Sequence, residues 1–235
     1  MSAHFADDRC VERERKPVTL AKIVPKDWFE AWREPREFFR AADDCMGQFE
    51  ADVILGMTGV QHLFDAYVAG LFARIWNDHH LCQVKLVREA FPDAQLRDAS
   101  RLLNLEVTMA DQKDRRMAEE HRLVREMRER GEATWRPIER DRDRQYALEA
   151  IPRVCRQKAK KYLGAEISGR RVLADLLIYV NFSTIAGPVL TDDEMATLTK
   201  PWMNNFISIW LLCGARIYRP WPSRMALAAL SDPIN

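Results

Sequence analysis

Apolar positions along this chain recur mostly at intervals of three and four, the spacing of one helix face. The strongest stripe is Val60, Leu63, Phe64, Tyr67, Leu71 and Ile75, widened by Val68 and Phe72. It predicts a central helix ending near Asn77-Asp78-His79-His80. Before it, Trp28 and Trp32 share a face behind a cap at Asp27, and Pro35 opens a second helix with the stripe Phe38, Phe39, Ala42 and Met46. After it, Gln83–Phe91 reads as a helix stopped by Pro92, and Leu96, Ala99, Leu103 and Val107 keep helical spacing from Ala94.

The run from Val172 to Val180 is continuously apolar apart from Asp175 and fits either a buried helix or a strand. No neighbouring segment offers it a strand partner, so the reading is a helix that ends at Gly187-Pro188. Thr191 with Glu194 three residues on is a capping box, opening a helix to Lys200. Pro201 then begins another, with Trp202, Phe206, Ile209, Leu212 and Cys213 inward. No alternating polar–apolar run reaches six residues, and glycines number only nine. The expected fold is all-α, an irregular multi-helix bundle.

Between the apolar blocks Val53–Met109 and Val172–Leu230 lies a segment of different character. Of the forty residues from Asp111 to Ala150, twenty-two are charged, eleven of each sign. Such a segment is too polar for a core and predicts a charged helical projection. Met109–Trp135 is expected to be helical, with Arg122, Arg125 and Glu129 outward and a stop at Gly131. Ile151-Pro152 is expected to end the next helix, and Arg153–Leu163 to form a short basic one. Residues 1–26, charged and carrying Pro17 and Pro25, predict a flexible N-terminal arm before a single helical domain over 27–235.

Composition narrows the class without naming an activity. With 235 residues, 47% apolar and 30% charged, the chain can bury a substantial core. The net charge of +1 gives no global attraction to nucleic acid or acidic membranes. Five cysteines without a CxxC pattern fit reduced thiols and a cytoplasmic protein. Arginines outnumber lysines twenty-seven to nine, a bias associated with GC-rich bacterial genomes. The two most apolar stretches, Val172–Leu190 and Trp202–Ala215, are interrupted by polar residues or too short, so no transmembrane segment is expected.

No catalytic constellation is legible. GxSxG is absent, and Ser168-Gly169-Arg170-Arg171 lacks a P-loop lysine–serine pair. None of the five histidines follows a glutamate at the Glu-x-x-His spacing of a di-metal bundle. His62 and Asp65 have one-face spacing, with Glu50 and Asp52 upstream, but the expectation is no metal and no cofactor. One basic patch stands out: Arg153, Arg156, Lys158, Lys160, Lys161, Arg170 and Arg171 face a single acid, Glu166. It suits a polyanion or an acidic partner. Seven Trp and nine Met suit a contact surface. The leading expectation is a non-enzymatic adaptor or subunit of a larger bacterial assembly, with a protein partner or homo-oligomer. The alternatives are a nucleic-acid-associated protein using the patch at 153–171, and a metal-binding or enzymatic helical bundle around His62 and Asp65.

Overall fold

The computed structural model describes residues 24–49, 61–78, 80–88, 91–111, 123, 126–127, 129–131, 140–162, 166–167, 170–171, 174–180, 190–213 and 216–219. They form the helices α1 (Lys26–Phe29), α2 (Pro35–Met46), α3 (Gln61–Asn77), α4 (Arg140–Tyr162) and α5 (Asp192–Thr199). The strands are β1 (Cys82–Leu86), β2 (Ala94–Asp98), β3 (Leu102–Ala110), β4 (Glu166–Ile167), β5 (Arg170–Arg171), β6 (Asp175–Val180), β7 (Ser208–Cys213) and β8 (Arg216–Tyr218). Six strands make one curled sheet in the order β1-β2-β3-β6-β7-β8. The β1–β2–β3 meander is antiparallel, β3–β6 and β6–β7 are parallel, and β8 returns antiparallel. The all-α bundle expected from the sequence is therefore incorrect: the fold is mixed α/β.

The sheet is covered on both faces. On one, α2 and α3 bury Phe38, Leu63, Phe72 and Trp76 against Val84, Leu96, Leu105 and Leu177. On the other, α4 and α5 bury Ala147, Ile151, Val154 and Met195 against Leu176, Ile178, Ile209 and Leu211. Alternate residues of β6 thus enter opposite cores. This explains its unbroken apolar run: a parallel strand buried on both faces has no polar side to show. Its partners, β3 and β7, lie far away in sequence, so searching its neighbours for a mate led to the wrong element. The long connections through α4 and α5 are what parallel neighbours require.

Three further helix expectations also fall to strands. Gln83–Phe91 contains most of β1, Ala94–Val107 contains β2 and most of β3, and Ile209–Cys213 lies in β7. Strands β1 and β2 are five residues each, shorter than the six-residue alternation sought, although β1 alternates buried and half-buried positions. Met109 lies in β3 and is not helical. Of the projected charged segment, Leu123, Glu126, Met127 and Glu129 are helical and Glu129 is exposed, whereas Arg122 and Arg125 lie outside the described residues. The end of that segment docks on the sheet, because α4 buries Ala147 and Ala150. Helix α4 also runs through Pro152, where a break was expected. The arm at 1–23, like Glu50 and Asp52, lies outside the described residues.

Other expectations hold. Pro35 opens α2 at its first turn, and the 60–75 stripe lies on α3 apart from Val60, which is not described. The Thr191 capping box is present, with Glu194 N donating to Thr191 Oγ1 and Thr191 N donating to Glu194 Oε2. Among the described residues, no helix is long and apolar enough to cross a membrane.

Candidate active site

The pairing of β2 with β3 ends at Ala94↔Leu105, yet β3 continues to Ala110. Beyond Leu105 the β2-facing edge of β3 has lost its neighbour, and its main-chain groups need other partners. Val107 N donates to Asp93 Oδ2 at 2.8 Å. Asp93 directly precedes β2, so its side chain reaches across the fork where the two strands part. On the same residue, the Val107 carbonyl accepts from Lys158 Nζ at 3.4 Å. The fork thus brings a carboxylate and an ammonium to one peptide unit.

Glu106 lies beside it and is fully buried. Its Oε1 accepts from Lys158 Nζ at 2.6 Å and from Lys161 Nζ at 3.1 Å. These lysines are three apart on α4, one helical face, which lays both over the acid. Lys158 is mostly covered and Lys161 is half open to solvent. A buried carboxylate is tolerable only with such pairing, because desolvating it alone is costly.

A third acid approaches from the opposite layer. Asp65 sits on α3 between fully buried Leu63 and Ala66. Burial first, and then the charges of Asp93 and Glu106, raise its carboxyl from 3.8 to about 7, against the pull of Lys158 and Lys26. The Asp93 carboxyl is raised too, first by burial and then by Glu106, against Lys158, the Val107 N–H and Lys161. Three carboxylates therefore share one field with Lys158 and Lys161, and burial together with the neighbouring acids keeps the Asp65 and Asp93 carboxyls raised. Among the described residues, no group of three or more His, Cys, Asp and Glu could hold a metal ion. The oxygen donors gathered at the fork are two carboxylates and one carbonyl.

The predicted basic patch divides. Lys158 and Lys161 belong to the acidic cluster. Arg153 donates to the Asp111 carbonyl. Arg156 lies 5.9 Å from the Trp202 ring and is exposed, as is Lys160. Arg170 and Arg171 form β5, paired with β4 in a separate two-stranded ribbon, and their side chains lie outside the described residues. Of the histidine-centred candidates, Asp65 joins the cluster, while His62 lies half-buried one turn earlier on α3. The sequence reading missed Asp93 and Glu106. The thiols of Cys82, Cys155 and Cys213 are pushed by burial up to about 12, which makes them poor nucleophiles.

No protein-family model matches the chain, and no curated protein or solved structure shows significant similarity to it.

Proposed function

We propose that this protein is a divalent-cation-dependent phosphodiesterase acting on nucleic acid in the cytoplasm. One observation carries the reading: Lys158 Nζ, a cation, is held by Glu106 Oε1 and the Val107 carbonyl, next to an Asp93 carboxylate fixed by the Val107 amide. A divalent ion that prefers oxygen suits the same donors. Magnesium commonly takes one or two carboxylates and leaves its other positions to water and substrate phosphate, so no closed protein cage is needed.

Asp93, Glu106 and the Val107 carbonyl would hold the ion, which would supply Lewis acidity and a more acidic bound water. The chain's own groups account for the rest. Lys158 and Lys161 stand beside the carboxylates and can turn from Glu106 to a phosphate oxygen. Asp65, with its carboxyl near 7, is suited to accept the proton of an attacking water at neutral pH. Hydrolysis adds that water across the P–O bond, its oxygen going to phosphorus and a proton to the leaving alkoxide. Exposed Arg156 and Lys160 on α4 extend positive charge away from the cluster and suit a polyanionic substrate.

This reading departs from the expectation of a non-enzymatic assembly subunit without a metal. It draws on both alternatives, the nucleic-acid patch at 153–171, of which it uses the α4 residues, and the metal-binding or enzymatic bundle around His62 and Asp65, of which it keeps Asp65. The test is incubation of the purified chain with single- and double-stranded DNA and RNA, in magnesium or manganese and in chelator. Cleavage should require the cation and fall roughly a hundredfold or more in Asp93→Asn and Asp65→Asn. No cleavage of any nucleic acid, together with no thermal stabilisation by either cation, would refute the proposal.

A further inference from the structure

A second region carries unmet chemistry. A cavity of about 1050 Å³ is lined by residues of α3, the β2–β3 hairpin, α4, β7, β8 and the start of α5. None of Asp65, Asp93, Glu106 or Lys158 lines it. Its volume is at the upper end of small-molecule sites.

Two indoles form part of the wall. Trp76 and Trp210 meet edge to face at 5.1 Å, and both are nearly buried. A guanidinium covers each: Arg101 lies 4.6 Å from the Trp76 ring, and Arg219 lies 4.9 Å from the Trp210 ring. Such stacking suits arginine, but it leaves the in-plane N–H groups seeking acceptors. Among the described residues, three of the donors here are buried and find none: Nε1 of Trp76, Nε1 of Trp210 and Nε of Arg219. Buried donors without acceptors are rare and costly.

Charge points the same way. Burial and the like charge of Arg101 both push the Arg219 guanidinium below its ordinary pKa, and Asp175 opposes them. Asp175 is itself engaged, accepting from Ser208 Oγ at 2.5 Å and from Asn104 N at 3.1 Å. Arg101 does have Asp98, at 3.1 Å from its Nε. The lining carries four arginines, Arg101, Arg144, Arg216 and Arg219, against two acids, Asp192 and Glu194, and Glu194 is already paired with Arg144; what singles out the Arg101–Arg219 end is its three acceptor-seeking donors. A ligand rich in acceptor oxygens suits those donors, and a phosphate fits arginine forks best. The remaining wall includes Leu190, Ile217 and Tyr218, which suit a flat apolar body.

We propose that this cavity binds a mononucleotide, its phosphate between Arg101 and Arg219 and its base against Leu190, Ile217 and Tyr218. The site is separate from the acidic cluster and does not depend on the phosphodiesterase reading. Titration calorimetry of the full chain in chelator tests it, with AMP, ADP, ATP and inorganic phosphate as the probes. At least one nucleotide should bind more tightly than phosphate. Arg219→Gln and Arg101→Gln should each weaken it roughly ten- to a hundredfold. Trp210→Phe keeps a ring and loses the N–H, so it should also weaken binding, and it remains informative if an arginine variant fails to fold. Asp93→Asn should bind as the wild type does, which separates this site from the acidic cluster. Absence of nucleotide binding at millimolar concentration, equal affinity for phosphate alone, or full affinity in the arginine variants would each overturn the proposal.

Discussion

Replacing Asp65 by Asn distinguishes an acidic cluster kept for a cation from a chance meeting of charges. The carboxyl stands at about 7 instead of 3.8, raised first by burial and then by Asp93 and Glu106. Its folded pKa is above its unfolded one, so the unfolded chain gives up the proton first. The stability tied to the protonated form is complete below about pH 4 and is lost as the pH rises through about 7. Above that range the full shift corresponds to about 4 kcal/mol of disfavoured charge. Relaxation of Lys158 and solvent reaching the half-buried side chain reduce this, and about 2 kcal/mol is a realistic expectation. Asp65→Asn removes the penalty at pH 8 and changes little at pH 4.

Urea unfolding at the two pH values reads this directly. Without divalent cations, Asp65→Asn should be more stable than the wild type by about 2 kcal/mol at pH 8 and nearly equal at pH 4. Magnesium should narrow the gap at pH 8, because an ion bound only by the folded state stabilises it by about 2.7 kcal/mol at a hundred times its dissociation constant. The wild type, with all three carboxylates, should gain more than the variant. Asp93 and Asp175 are also raised and give the wild type the same sign of pH dependence, so the comparison between chains carries the test. Superimposable pH profiles, or a variant less stable at pH 8, would show that Asp65 is not held charged in an unfavourable field.

Three other outcomes follow from the packing. Lys158→Met takes the shorter of two lysine contacts from buried Glu106 and should cost about 3 kcal/mol in chemical unfolding, most of it recovered when Glu106→Gln is added. Thr191→Ala removes one half of a reciprocal cap and should cost about 1 kcal/mol by the same assay. Ile178→Ala opens a hole at a fully buried position of the central strand and should cost about 3 kcal/mol.

The helices were largely legible and the sheet was not, for a physical reason. A helix satisfies its backbone within itself, so its signature is local: the stripe on α3, Pro35 at the head of α2 and the Thr191–Glu194 box each lie within a few residues. A strand satisfies its backbone on another strand. Those of β6 are on β3 and β7, some seventy residues before it and thirty after. Only the cross-strand register makes Val172–Val180 intelligible, and no local window contains it. The brevity of β1 and β2 compounded the error. So did the accidental three-and-four spacing of Leu96, Ala99, Leu103 and Val107, of which all but Ala99 lie in strands.

The site shows the same contrast at the level of single residues. Lys158 and Lys161 were visible as basic residues of one helix, yet what they face lies about fifty positions earlier. Asp93 was hidden by Pro92, which served as a helix stop although Asp93 was the residue to weigh. Glu106 carried a signal that went unused. It is a single acid among Leu103, Leu105, Val107 and Met109, in a run whose other side chains are mostly apolar. An isolated carboxylate inside an apolar run must find a partner or forfeit its charge, since burying it unpaired is prohibitive. Asp175 poses the same question at the start of β6 and answers it structurally, through Ser208 and Asn104. Glu106 answers with two lysines beside a second and a third carboxylate. Asp175 is held by two hydrogen bonds, whereas the Glu106 cluster combines ammonium groups with further carboxylates, and it is this mixture that the proposed cation site would use.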